Sequence, residues 1–173
     1  MINRIVLIVL SLGAVAATFS IAAAAPNASR ADRKFVTDAI QGDLAEVQIG
    51  KLAQEKSMDD QVRSFGDMLV KDHSANNEKA TELASSLGLK VPTKPSKAQL
   101  AMYDRLSKLS GKAFDRQLAR AMVQDHRKDI GEFDKEAKSS NDQVAGFAKD
   151  TLPTLHKHLD AAQSLVKAET AAK

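Results

Sequence analysis

The hexapeptide DQVRSF at residues 60–65 recurs as DQVAGF at residues 142–147, and this repetition decides the predicted fold. Each copy opens with an acidic residue, which favours a helix start, and places valine and phenylalanine on one helical face. Helices that begin alike at two places in the chain indicate two related helical hairpins. The sequence therefore predicts that the second and fourth long helices occupy equivalent positions.

Apolar residues repeat at helical spacing over four long segments of the chain. We expect the second helix to be capped by Asp59 or Asp60 and to end at Gly88, because these residue types favour helix starts and ends. The predicted long helices cover residues 32–56, 61–88, 112–138 and 142–168.

A long connection, residues 89–111, separates the two predicted hairpins. Pro92 and Pro95 prevent a continuous helix there, while Ser96 can cap a short helix over residues 97–109. A helix of about 27 residues measures about 40 Å, and the connection is long enough to cross that distance. The predicted fold class is all-α: a ferritin-like four-helix bundle with a long crossover that carries an extra short helix.

The composition agrees with a helical fold and excludes several functions. Tryptophan is absent and Tyr103 is the only tyrosine, so strand-forming residues are scarce. The formal net charge is only +3, and basic residues alternate with acidic ones, so we expect no nucleic-acid partner. The chain has no cysteine, which excludes disulfides, thiol catalysis and a lipid-modified cysteine anchor.

The first 24 residues have the pattern of a secretory signal peptide. Arg4 precedes an apolar run over residues 5–17, and the small residues 22–24 form a cleavage site. An uncleaved anchor over residues 5–25 is the alternative. We expect removal of residues 1–24, a linker at 25–30, the bundle at 31–168, a disordered tail at 169–173, and no stable membrane insertion of the processed chain.

Polar side chains interrupt the apolar stripes near the middle of each long helix. The four histidines, His73, His126, His156 and His158, all lie within predicted helices. Glu46, His73, His126 and His158 fall at similar heights, so their side chains can converge inside the bundle. His156 is expected at the edge or in solvent, because it points to a different side of the helix from His158.

The pattern V-x-D-H occurs at residues 70–73 and again at 123–126. Adjacent side chains diverge by about 100° around a helix, so each histidine needs a partner from another helix. Asp72 is expected to hold His126, or Asp125 to hold His73. The predicted polar centre comprises Glu46, Asp72, His73, Asp125, His126 and His158.

Three interpretations fit such a centre. The preferred one is a structural network of hydrogen-bonded and charged groups. The second is one divalent ion, Zn, Mn or Fe, held by two histidines and one or two carboxylates. The third, a two-metal oxidase site, is disfavoured because the E-x-x-H motif of di-iron bundles is missing at these positions.

Four motifs in order resemble a widespread bacterial family of exported proteins of unknown function. They are GDLAEV at 42–47, MLVKDH at 68–73, MVQDH at 122–126 and LPTLxxHL at 152–159, and the likeness covers about residues 31–166. The resemblance implies a ferritin-like bundle and export. The polar positions it shares with the family are Glu46, Asp72, His73, His126 and His158.

Members of this family are often labelled predicted outer membrane proteins, but the chain lacks alternating ten-residue segments, so we expect a periplasmic or secreted protein. Its expected role is non-catalytic, with a protein partner in the envelope as one possibility. The alternatives are a ferritin-like metalloenzyme or metal and oxidative-stress protein, and an interaction module of the envelope.

Overall fold

The computed structural model describes residues 28–171, and within them the chain forms five helices and no strand. They are α1 (Arg30–Lys56), α2 (Asp60–Ser86), α3 (Lys97–Ser107), α4 (Gly111–Glu136) and α5 (Asp142–Ala171). The predicted all-α class is confirmed. No helix in this part of the chain is both long and apolar enough to cross a membrane. The predicted signal peptide 1–24 lies outside the described residues, as do 25–27 and 172–173.

Two helices are longer than predicted, α1 at its start and α5 at its end. Ser29 Oγ accepts from the Asp32 backbone N–H at 3.0 Å, and Asp32 Oδ2 accepts from the Ser29 N–H at 2.7 Å, so α1 begins at Arg30 instead of residue 32. The predicted linker 25–30 was therefore too long. The prediction of a disordered tail from residue 169 was also wrong for 169–171, because Ala168 and Glu169 favour helix and α5 continues through them.

The helix ends around the crossover follow the predicted signals. Asp59 caps α2 by accepting from the backbone N–H groups of its first turn. Gly88 has a φ of 65° and closes α2 with bonds from Gly88 N to Ser85 O at 3.0 Å and from Leu89 N to Ala84 O at 2.8 Å. Ser96 caps α3, which covers Lys97–Ser107.

Two apolar clusters fill opposite ends of the bundle. The first cluster joins the end of α1, the start of α2, the start of α4 and the end of α5, and includes Ile49, Phe65, Phe114 and Leu165. The second cluster joins the start of α1, the end of α2, the end of α4 and the start of α5, and includes Ile40, Leu83, Phe133 and Val144. This arrangement makes α1 antiparallel to α2, and α4 antiparallel to α5.

The crossover connects the second cluster, where α2 ends, with the first cluster, where α4 begins. It therefore runs the length of the bundle, and α2 and α4 point in the same direction. Leu106 anchors α3 in the first cluster with 1% of its surface exposed. The predicted ferritin-like connection, with an extra short helix in the crossover, is confirmed.

Asp32→Ala is expected to lower the free energy of unfolding by about 1–2 kcal/mol at pH 7. The carboxylate caps α1 and also accepts from Ser139 Oγ, at 2.6 Å, in the α4–α5 turn. Burial raises the pKa of Asp32, but the hydrogen bonds from Ser139 and Ser29 outweigh it and lower the pKa.

The contribution of Asp32 is therefore present above the pKa of the unfolded chain and disappears as pH falls through the folded pKa. Urea unfolding at several pH values measures this loss. Asp38→Ala is the control, because within the described residues Asp38 pairs with Lys34 alone, on an exposed face where such pairs contribute about 0.5 kcal/mol. Equal losses in the two variants would contradict the proposed cap.

Candidate metal centre

A polar layer separates the two apolar clusters at mid-bundle. Each long helix contributes to it a buried side chain that was predicted for the polar centre: Glu46 from α1, His73 from α2, His126 from α4 and His158 from α5. His126 and His158 have no exposed surface. The structure thus brings four of the six predicted residues into the layer itself, and the other two lie beside it, Asp72 against His158 and Asp125 against Glu46.

The three histidines form a compact group. Their ring centroids are separated by 5.1 to 5.9 Å, and His126 Nε2 lies 3.2 Å from His158 Nδ1. One ring nitrogen from each histidine can be chosen so that all three lie within 4.8 Å of one another. Two metal–nitrogen bonds of about 2.05 Å span at most about 4.1 Å, so three nitrogens at this spacing reach one ion after a small movement of the rings.

Each ring is held from outside the group by an acceptor. His73 Nδ1 donates to Asp43 Oδ1 at 2.8 Å, and His126 Nδ1 donates to the Met122 carbonyl at 3.0 Å. His158 Nε2 donates to Asp72 Oδ2 at 3.0 Å. These bonds fix the ring orientations and leave the second nitrogen of each ring, His73 Nε2, His126 Nε2 and His158 Nδ1, without an outer partner, as in metal sites whose histidines are oriented by carboxylates and carbonyls.

The predicted partners of the histidines were wrong. Asp72 was expected to hold His126, and Asp125 to hold His73, but Asp72 holds His158 and Asp43 holds His73. The reason is packing: α2 lies against α5, so Asp72 meets α5 at their seam, while α1 and α2 form one hairpin. Lys157 Nζ also binds Asp72 Oδ2, at 3.1 Å.

The facing nitrogens of His126 and His158 lack a proton to share. Burial lowers the pKa of His126 to about 3, and the charges of His73 and His158 lower it further. Burial also lowers the pKa of His158, to about 4, although the bond to Asp72 opposes this. With both rings neutral and their N–H groups directed outward, two lone pairs face each other across 3.2 Å.

Glu46 lies beside His73 and His126, and its carboxyl group lacks a hydrogen-bond donor within the described residues. Its residue is 2% exposed, and neither carboxylate oxygen receives a hydrogen bond within the described residues. Oε2 lies 3.9 Å from His73 Nε2, which is also without a partner there, and Oε1 lies 3.9 Å from His126 Nδ1. Burial raises the pKa of Glu46 well above its usual value, and His73 only partly offsets this.

The pKa of His73 is shifted in the opposite direction from the pKa values of His126 and His158. Burial lowers the pKa of this ring, but the hydrogen bond to Asp43 and the charge of Glu46 outweigh it and raise the pKa to about 9. Binding of a metal at Nε2 therefore requires release of a proton, as is usual for protein ligands.

A comparison with protein families matches residues 17–165 to the domain of unknown function DUF4142. The match includes every residue of the polar layer. The chain belongs to the DUF4142 family. A search of curated proteins finds no match. Among solved structures, the DUF4142 chain is similar to the crystal structure of a DUF305 fragment from Deinococcus radiodurans.

That similarity has a TM-score of 0.73 at 16% sequence identity, and covers 83% of this chain and 99% of the fragment. At this identity the likeness shows a shared helical fold. The family match and the shared fold confirm the resemblance to the extent of a helical domain of unknown function.

Sequence reasoning missed part of the polar layer of this DUF4142 protein. Asp43 is 3% exposed and accepts from Asn76 Nδ2 at 3.1 and 2.9 Å as well as from His73. Thr151 Oγ1 lies 2.9 Å from Asn76 Oδ1, so the chain of contacts reaches α5. The available signal was the pair Asp43 and Glu46, one turn apart on α1.

Asp125 takes a different place from the one predicted. It lies beside the carboxyl group of Glu46, and burial raises its pKa. Asp129 follows one turn later, and burial together with the charge of Asp125 raises its pKa to about 7. Both residues line a cleft beside the histidines. His156 is exposed, as expected for the residue that points away from the centre.

Proposed function

We propose that this protein binds one divalent transition-metal ion through His73 Nε2, His126 Nε2, His158 Nδ1 and the carboxylate of Glu46. One observation carries the proposal. Three buried imidazoles are each fixed by an outer acceptor, and one nitrogen of each ring lies within 4.8 Å of one nitrogen of both others. Such outer bonds are typical of histidines that bind metals.

The nitrogen spacing supports an ion between His126 and His158. In a tetrahedral site with metal–nitrogen bonds of about 2.05 Å, two ligand nitrogens lie about 3.3 Å apart. The observed separation is 3.2 Å. An ion there replaces the contact between two lone pairs with two coordinate bonds. Three imidazoles and a carboxylate suit Zn²⁺ or Fe²⁺, and Mn²⁺ less well.

A structural polar network explains the centre less well than an ion does. Buried polar groups in a network of that kind are normally all hydrogen-bonded. Here both oxygens of Glu46 and the Nε2 of His73 have no partner within the described residues. A cation held by Glu46 and His73 together with His126 and His158 gives these unpartnered atoms a ligand role.

We propose that the protein binds this ion outside the cytoplasm, as a non-catalytic periplasmic or secreted protein. The support is the signal-like pattern of residues 1–24 and the absence of cysteine. Separation of the periplasm from the cytoplasm tests the cellular location. Mass spectrometry of the isolated protein tests the removal of residues 1–24.

Elemental analysis of tag-free protein, prepared without chelators, tests the metal. We expect about one ion per chain in the parent, and at least a tenfold lower content in His158→Ala, because loss of even an outer partner weakens metal sites by about 10–100-fold. His156→Ala is the matched control, since this exposed histidine lies two residues away on the same helix.

Removal of the ion with a chelator should lower the melting temperature of the parent and of His156→Ala. With free metal at 100 times the dissociation constant, the expected stabilisation is about 2.7 kcal/mol. A metal-free parent that stays metal-free when Zn²⁺ or Fe²⁺ is added would refute the proposal, as would equal metal content in the two histidine variants.

A further inference from the structure

A cleft of about 460 Å³ opens between α1, α3 and α4 and reaches the polar layer. A volume of this size suits a small molecule. Buried Asp43 and His73, together with Asp125, line its inner part, and α3 forms one wall through Gln99, Met102 and Arg105. The long crossover thus supplies one wall of the cleft through α3.

The acidic residues at the rim of the cleft already have cationic partners. Asp38 pairs with Lys34, while Asp129 and Glu132 pair with Lys128 at 3.5 and 3.2 Å. The inner carboxylate of Asp43 is likewise bound by His73. Pairing thus takes up much of the negative charge of these four acids, although Asp129 and Glu132 share one lysine, and Asp125 forms no ion pair within residues 28–169.

Two arginines of the cleft remain without an anion. Arg105 on α3 and Arg120 on α4 line the same cavity, both are exposed, and neither forms an ion pair or a hydrogen bond within residues 28–169. Gln117 and Gln124, one turn to either side of Arg120, add amide groups to the same wall. This half of the cleft is rich in unused hydrogen-bond donors.

We propose that the cleft binds a small molecule that carries a carboxylate or phosphate group. Arg105 and Arg120 hold the anionic group, because the guanidinium fork matches the paired oxygens of both groups. A metal ion at the centre adds positive charge at the inner end of the cleft and strengthens this binding. Only this last step rests on the proposed function.

Calorimetric titration with acetate and with inorganic phosphate, on metal-free and on Co²⁺-treated protein, tests the proposal. We expect saturable binding of at least one anion. Binding of acetate only identifies a carboxylate ligand, and binding of phosphate only identifies a phosphate ligand. The double variant Arg105→Ala, Arg120→Ala should bind the anion at least about tenfold more weakly, since hydrogen bonds to charged groups have that effect.

Two controls separate the cleft from general surface charge. Arg116→Ala with Arg127→Ala removes the same charge from parts of α4 outside the cleft and should change affinity little. Gly42→Leu fills the cleft, where a Cβ atom meets only Gln99 Nε2, at 3.8 Å, and should block the anion. Gly131→Leu adds the same side chain to an open part of α4 and should not block it.

Absence of binding by both anions, or equal weakening in the two arginine pairs, would overturn the proposal. So would full affinity in Gly42→Leu. The role of the metal has separate outcomes. Co²⁺ uptake without any change in anion affinity removes only the metal-dependent step, while failure to take up Co²⁺ refutes the proposed function and leaves the metal-free titration to decide the cleft.

Discussion

Gly66→Ala is expected to lower the free energy of unfolding by about 3 kcal/mol, the upper end of the usual cost of overpacking. A Cβ atom at this position would lie 2.6 Å from Gly50 O and 2.9 Å from Ala53 Cβ. The obstacle is mainly backbone, so α1 and α2 must separate before the methyl group fits. The contact is reciprocal, because a Cβ atom on Gly50 would lie 2.7 Å from Gly66 O.

Urea unfolding followed by circular dichroism measures the loss. Gly131→Ala is the matched control, because a methyl group on this residue of α4 would meet nothing within 4 Å and alanine favours helix by about 1 kcal/mol. The two glycine variants should therefore change stability in opposite directions. A stabilised Gly66→Ala would show that the two helices do not approach as closely in solution.

The helices and their order could be predicted because their signals are local. Caps such as Asp59 and Ser96, the stop at Gly88, and apolar spacing all act within one or two turns of helix. The crossover followed from the same signals, because a long proline-containing segment between two hairpins has to travel the length of the bundle. The close approach at Gly50 and Gly66 could not be predicted, since it depends on how two helices pack.

The position of the candidate centre along the helices could be predicted, but the hydrogen-bond partners of its histidines could not. Similar positions along each helix brought Glu46, His73, His126 and His158 together, whereas the repeated V-x-D-H pattern gave Asp72 and Asp125 the same apparent role. Their surroundings differ, because Asp72 lies at the seam with α5 and Asp125 approaches Glu46 of α1. Partners across helices depend on which helices are neighbours and how each is rotated, and no local signal records that.

Glu46→Gln is expected to leave the metal-free protein at least as stable as the parent, with a gain of up to about 1–2 kcal/mol. In the parent, a buried carboxyl without a donor lies beside Asp125, another carboxyl. An amide keeps the shape, carries no charge and can donate to Asp125. Because the amide is a much poorer metal ligand than a carboxylate, we expect metal affinity to fall by at least about a hundredfold, more than for loss of an outer partner.

Thermal unfolding with and without Zn²⁺, together with direct metal titration, measures both effects. Glu55→Gln on the exposed side of α1 is the control and should change neither. If the polar layer were a structural network instead, Glu46→Gln would destabilise the protein and Zn²⁺ would not matter in either form. With an ion bound as proposed, Glu46→Gln would raise the stability of the metal-free protein and weaken metal binding. That combination would mean that burial of the Glu46 carboxyl group is unfavourable without an ion and that a bound ion offsets the cost. A structural network predicts no such offset.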